Sequence, residues 1–65
     1  MLDTSVLEDL RKQKNISMEK LSYKLGYKSP SAYGMKLSGA RNFTIRDLVL
    51  LANLYNVSSD YLLSR

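Results

Sequence analysis

Sixty-five residues with a formal charge of +4, no cysteine and no histidine make one domain at most, with no disulfide staple and little scope for a zinc site. A chain this short buries only about 60% of its unfolded surface, so stability must come from efficient helix packing, from a partner, or from both. The hydrophobic fraction of 45% marks a folding sequence, and no apolar run approaches the roughly 18 residues that cross a bilayer.

Strand signals are poor, because no alternating run is bounded by Asn-Gly or Asp-Gly. Helix signals recur along the whole chain. The first predicted helix runs from about Ser5 to Lys14. Ser5 and Glu8 have capping-box spacing, and Val6, Leu7 and Leu10 form an apolar stripe. The second covers about Met18–Leu25, with Ser17 as N-cap, a staple between Ile16 and Leu21, and Gly26 just beyond its end. In the third, Ser29 is the expected cap and Pro30 the first helical residue, where a missing N–H is no loss. Tyr33 and Leu37 face inward, and Gly39 closes the helix.

The fourth predicted helix starts at Thr44, with Asp47 completing a capping box and Phe43 stapled to Leu48. Ile45, Leu48, Leu51 and Ala52 form its expected buried stripe. The fifth is short, capped by Ser58, with Val57 stapled to Leu62. The expectation is an all-α, compact five-helix bundle occupying residues 1–65 as a single domain. The acidic stretch "MLDTSVLEDL" lacks the basic start and apolar centre of a signal peptide, which implies a soluble, cytoplasmic protein.

Charge is unevenly distributed. Residues 11–46 carry nine lysines and arginines against Glu19 as their one acid, between more acidic ends. That is the footprint of a polyanion-binding surface, although a solvated lysine face has the same composition. Only "GYKS" separates the second and third helices, which is a helix-turn-helix layout. In that motif the second helix enters the major groove.

Several pieces from Ile16 to Leu63 resemble a known family: "S-x-E-x-L-x-x-x-L-G" at 17–26, a glycine at 39, "T-x-x-x-L" at 44–48, "L-A-x-L-Y-N-V-S" at 51–58 and "D-Y-L" at 60–62. Together they look like the Xre/Cro type of phage repressor DNA-binding domain. The resemblance implies a lambda-repressor-like domain that acts as a homodimer on a palindromic double-stranded DNA operator. The chain departs from the family at Ser22, where many members have alanine. It also has Leu37-Ser38 where a Glu-Asn or Glu-Arg pair is common, and a turn one residue longer.

Ser29, Ser31, Gly34 and Met35 then become the candidate base contacts. Serine specifies weakly, and Met35 suits a thymine methyl or, alternatively, the core. A glycine at 34 lets the helix approach the groove closely, or is simply tolerated at the surface. Backbone candidates are Ser17, whose capped helix presents amide N–H groups, with Tyr27, Lys28, Lys36, Arg41 and Asn42; Tyr23 offers a further hydroxyl. The resemblance also implies a pairing of Arg11 with an acid of the second helix, for which Glu19 is available. Tyr55, Tyr61, Leu62 and Leu63 exceed what one small core needs and form a candidate dimer interface.

Without histidine, cysteine, a convergent carboxylate pair or a phosphate-loop pattern, an enzyme is not expected. Nor is a cofactor, a metal, a membrane or a small-molecule ligand. The rival reading is a protein-interaction module on the same fold, such as an antitoxin or a regulator of another repressor.

Overall fold

The computed structural model describes residues 2–63. Five helices follow one another: α1 (Thr4–Gln13), α2 (Met18–Lys24), α3 (Ala32–Leu37), α4 (Ile45–Tyr55) and α5 (Ser59–Leu62). Among the described residues the only extended pairing is an isolated antiparallel bridge between Leu2 and Leu63, beside a hydrogen bond from the Asp3 amide to the Leu62 carbonyl at 2.9 Å. Among the described residues no helix is long and apolar enough to cross a membrane.

Side-chain caps set most helix starts. The Ser17 hydroxyl accepts from the Lys20 amide, Thr44 and Asp47 form a reciprocal box, and Ser58 accepts from the Tyr61 amide, each satisfying N–H groups the helix leaves free. Two starts differ from expectation. The cap of α1 is Asp3, whose carboxylate accepts from the amides of Ser5 and Val6; a charged acceptor two residues upstream displaces the Ser5 box. α3 begins at Ala32, and Ser29 and Pro30 belong to the turn before it. There the Ser29 hydroxyl accepts from the Ser31 amide at 3.3 Å, a turn-forming bond that competes with helix capping.

The core is built from Leu7 of α1, Leu21 and Leu25 of α2 and its end, Tyr33 of α3, Leu51, Ala52 and Tyr55 of α4, and Leu62 of α5. Leu37, Leu48, Phe43 and Ile16 pack around it. Ile45 does not join the stripe expected of it and is 82% exposed. As the first residue of α4 it shares a face with Leu48 but stands at the helix end, a turn before the residues that pack on the core.

Arg11 pairs within α1. Its guanidinium donates two bonds to the Glu8 carboxylate, both at 2.9 Å, and a third to the Ile16 carbonyl at 2.8 Å. Glu19 is exposed and takes no part. The three-residue spacing on one helix face holds the fork-and-carboxylate geometry with no tertiary adjustment. That ion pair holds the Glu8 carboxyl below its ordinary value. Glu8 also accepts from the Tyr33 hydroxyl at 3.0 Å, which ties α1 to α3.

Candidate nucleic-acid interface

α2 and α3 are joined through Gly26, whose φ of +90° is the left-handed conformation that favours glycine. A Cβ there would stand 3.0 Å from a terminal nitrogen of Arg46, which reaches across from α4. Inside the corner lies Ser22. Its hydroxyl accepts from the Tyr33 amide at 3.0 Å, and it sits 2.9 Å from the Met18 carbonyl and 3.1 Å from the Pro30 carbonyl. A polar residue where alanine is common therefore has a local reason: it satisfies one of the free amides at the start of α3.

Tyr33 anchors α3 inward. It is fully buried, stands edge-on to Phe43 at 6.2 Å between ring centres, and donates to Glu8. Burial, reinforced by the Glu8 carboxylate, pushes its phenol well above the ordinary tyrosine value. Leu37, one turn further on, is half-buried against the same core.

Lys36 shares that inward stripe, three residues after Tyr33. Its ammonium lies 2.6 Å from the Asp47 carboxylate and donates to the Asn42 carbonyl at 3.0 Å. The two side chains are 5% and 0% exposed. The Tyr27 hydroxyl donates to the second Asp47 oxygen at 2.6 Å, the Thr44 amide donates to the first at 2.9 Å, and the Lys36 ammonium lies 4.8 Å from the Tyr27 ring centre. Burial alone would pull the ammonium down, but its bond to Asp47 outweighs this and its pKa rises. Burial likewise opposes the Asp47 charge, and the bonds from Lys36, Thr44 and Tyr27 outweigh it, so its carboxyl titrates below the ordinary range. This network fastens the turn, the end of α3, the following loop and the start of α4 to one another.

The expected contacts separate accordingly. Ser29, Ser31 and Met35 are exposed, and Gly34 is half-buried. Their side chains touch one another: the two serine hydroxyls lie 3.0 Å apart, and the Ser31 oxygen lies 4.0 Å from the Met35 sulfur. Met35 is thus a surface residue and not a core filler. Ser17, Lys28, Arg41 and Asn42 are exposed, as is Tyr23. Lys36 is a correction, because its charge is consumed by Asp47 and cannot reach a phosphate. Tyr27 is a second, because its hydroxyl proton is committed to the same carboxylate.

The proposed dimer surface is also corrected. Tyr55 and Leu62 are buried in the chain's own core, and Leu63 is half-buried at its bridge with Leu2. Only Tyr61, 57% exposed, remains an open apolar side chain of that group. The buried Tyr55 hydroxyl has no hydrogen-bond partner among the described residues, and burial raises its pKa to about 12.

Sequence reasoning missed the Lys36–Asp47 pair. The signal available was helical spacing: Lys36 occupies the same face as Tyr33 and Leu37, where a charge demands a partner. Among the described residues no group of histidine, cysteine, aspartate and glutamate is arranged to hold a metal ion.

Comparison with known proteins bears out the resemblance read from the motifs. A family model described as helix-turn-helix matches residues 7–62. An uncharacterized HTH-type transcriptional regulator of Bacillus subtilis (strain 168), YobD, is 40% identical over 57 residues, which is 88% of this chain and 50% of that protein. The chain thus spans about half the length of this curated relative. No solved structure matches.

Proposed function

The chain belongs to the helix-turn-helix family, and on that premise we propose that it is a DNA-binding transcription regulator that reads double-stranded DNA with α3. In this reading residues 1–65 act as one DNA-binding domain of the phage-repressor type. Two copies occupy a palindromic operator, with half-sites about one helical turn (~34 Å) apart. Ser29, Ser31 and Met35 face base edges, with Gly34 allowing close approach. Ser17, Lys28, Arg41 and Asn42 hold the phosphate backbone on either side.

The observation that carries this reading is the sorting of charge around α3. Lys36 and Arg11 are neutralised internally by Asp47 and Glu8. Lys20, Lys24, Lys28 and Arg41 stay exposed along α2, the turn and the loop after α3. Exposed cations bracketing a neutral, small-residue helix face suit a duplex, where phosphates flank the groove. With serines as the polar readers, sequence preference draws strongly on DNA shape.

Selection of bound duplexes from a random-sequence pool tests this, because it yields sequence, symmetry and spacing together. Lys28→Glu with Arg41→Glu abolishes enrichment if the reading holds. Unchanged enrichment with both reversed contradicts it.

A second reading, a protein-interaction module on the same fold, is favoured by Ile45 and Val49. They are four residues apart on α4, and both are exposed. On that reading their replacement by serine abolishes partner binding, whereas duplex binding by the wild-type chain is absent.

A further inference from the structure

Gly34 is the one residue of α3 without a side chain, and nothing inside the protein requires that. Among the described residues a Cβ built on it would meet only the Met18 sulfur, at 3.9 Å, which is ordinary van der Waals contact. Its backbone is unremarkable too, since the left-handed glycines are Gly26 and Gly39. A glycine inside a helix costs about 1 kcal/mol relative to alanine. The reason for it therefore lies outside the chain's own packing.

What surrounds Gly34 is apolar. Met18, the first residue of α2, and Met35, the next residue of α3, are 38% and 36% exposed, and the Met18 thioether lies against the Gly34 position. Ser31, Gly34 and Met35 follow helical i, i+3, i+4 spacing and share one face. The Met35 sulfur is within 4.0 Å of the Ser31 hydroxyl. The outer face of α3 thus lacks a side chain at 34, with the Met18 sulfur on one side and the Ser31 hydroxyl and Met35 sulfur on its own face.

We propose that the open space at Gly34 seats the 5-methyl group of a pyrimidine, which in unmodified DNA means thymine, and that Met18 of α2 is a specificity-determining residue alongside α3. The inference rests on the DNA-binding reading above. In the major groove thymine presents its methyl group next to the O4 acceptor. The methyl takes the space left by the absent Gly34 side chain, beside the Met18 sulfur, and O4 accepts from the Ser31 hydroxyl. Thioethers contribute dispersion contacts and adapt to the exact depth of the group. An alanine at 34 would occupy the space the methyl needs.

The test replaces each thymine of a duplex selected from random DNA, one at a time, by uracil, which deletes the methyl and leaves base pairing intact. Affinities are measured for the wild-type chain and for Met18→Ala, Met35→Ala and Gly34→Ala, with far-ultraviolet circular dichroism as the folding check. In the wild type, one thymine per half-site loses about fourfold in affinity on conversion, the factor carried by one buried methyl group. Met18→Ala and Gly34→Ala erase that loss at the same position, while Gly34→Ala melts at an equal or higher temperature. If no uracil weakens binding, or if the loss survives unchanged in both variants, the Gly34 position is not a methyl seat. Silent uracils with intact duplex binding overturn this inference alone, whereas failure to enrich any duplex overturns the DNA-binding reading with it.

Discussion

The Ser22 hydroxyl accepts a hydrogen bond from the Tyr33 amide at 3.0 Å, joining two residues eleven positions apart across the turn between α2 and α3. Its own proton lies within reach of the Met18 and Pro30 carbonyls. One small side chain therefore sets where α3 starts relative to α2. Ser22→Ala leaves the buried Tyr33 amide without that acceptor. The expected cost is about 1–3 kcal/mol in urea unfolding, with m unchanged.

Lys36→Met strands the Asp47 carboxylate in the interior. The loss is expected to be about 3–5 kcal/mol, a large part of what a domain this size has in hand. Lys36→Met combined with Asp47→Asn recovers part of it, since an amide still serves the Thr44 amide or the Tyr27 hydroxyl. Thermal melts of the single and double variants check both statements. Equal losses in the two would show that the stranded Asp47 charge is not what makes Lys36→Met costly.

Stability is expected to be flat from about pH 5 to pH 9, because the side chains include no histidine. Glu8 and Asp47 have folded pKa values below their ordinary ones. Their contribution is complete above the unfolded values of about 4 and is lost as pH falls through the lower folded values. On the alkaline side, Lys36, Tyr33 and Tyr55 are all raised. Their contribution is complete below about pH 10, where the unfolded groups titrate, and is lost as pH rises through the folded values. For Tyr55 that loss reaches completion near its folded value of about 12. Midpoint temperature against pH measures both flanks.

Gly26→Ala and Gly39→Ala separate backbone strain from crowding. Both glycines have φ near +90°, but a Cβ at 39 meets nothing, whereas at 26 it meets Arg46 at 3.0 Å. Each is expected to lose about 1–2 kcal/mol from the left-handed backbone. Gly26→Ala loses little more, because a flexible guanidinium end can move. A far larger loss at 26 would show that Arg46 is held rigidly over the turn.

On the proposed interface, the logarithm of duplex affinity falls linearly with the logarithm of salt concentration. Lys28→Ala reduces that slope by about 0.9, the share of one phosphate contact. Asp9→Asn on α1 leaves it unchanged. A slope insensitive to Lys28 removes that residue from the phosphate set.

Helix identities were legible because caps and staples are local: Ser17, Thr44 with Asp47, and Ser58 announce themselves within four residues. The start of α3 was not, because Ser29-Pro30 spells both a helix start and a turn, and only the Ser29–Ser31 bond decides between them. Arg11 was assigned a distant acid although Glu8, on its own helix face, was three residues away. The role of Lys36 depends on a carboxylate eleven residues off and on an aromatic ring from the turn, and no local pattern encodes that meeting. The surplus assigned to the last helix disappears because Tyr55 and Leu62 both fit the core.

The most direct measurement is a map of backbone amide chemical shifts as a selected duplex is titrated into the chain. The account predicts the largest changes at Ser29, Ser31, Gly34 and Met35, with smaller ones at Ser17, Lys28, Arg41 and Asn42. Changes centred on Ile45, Val49 and Tyr61, with α3 silent, would contradict it.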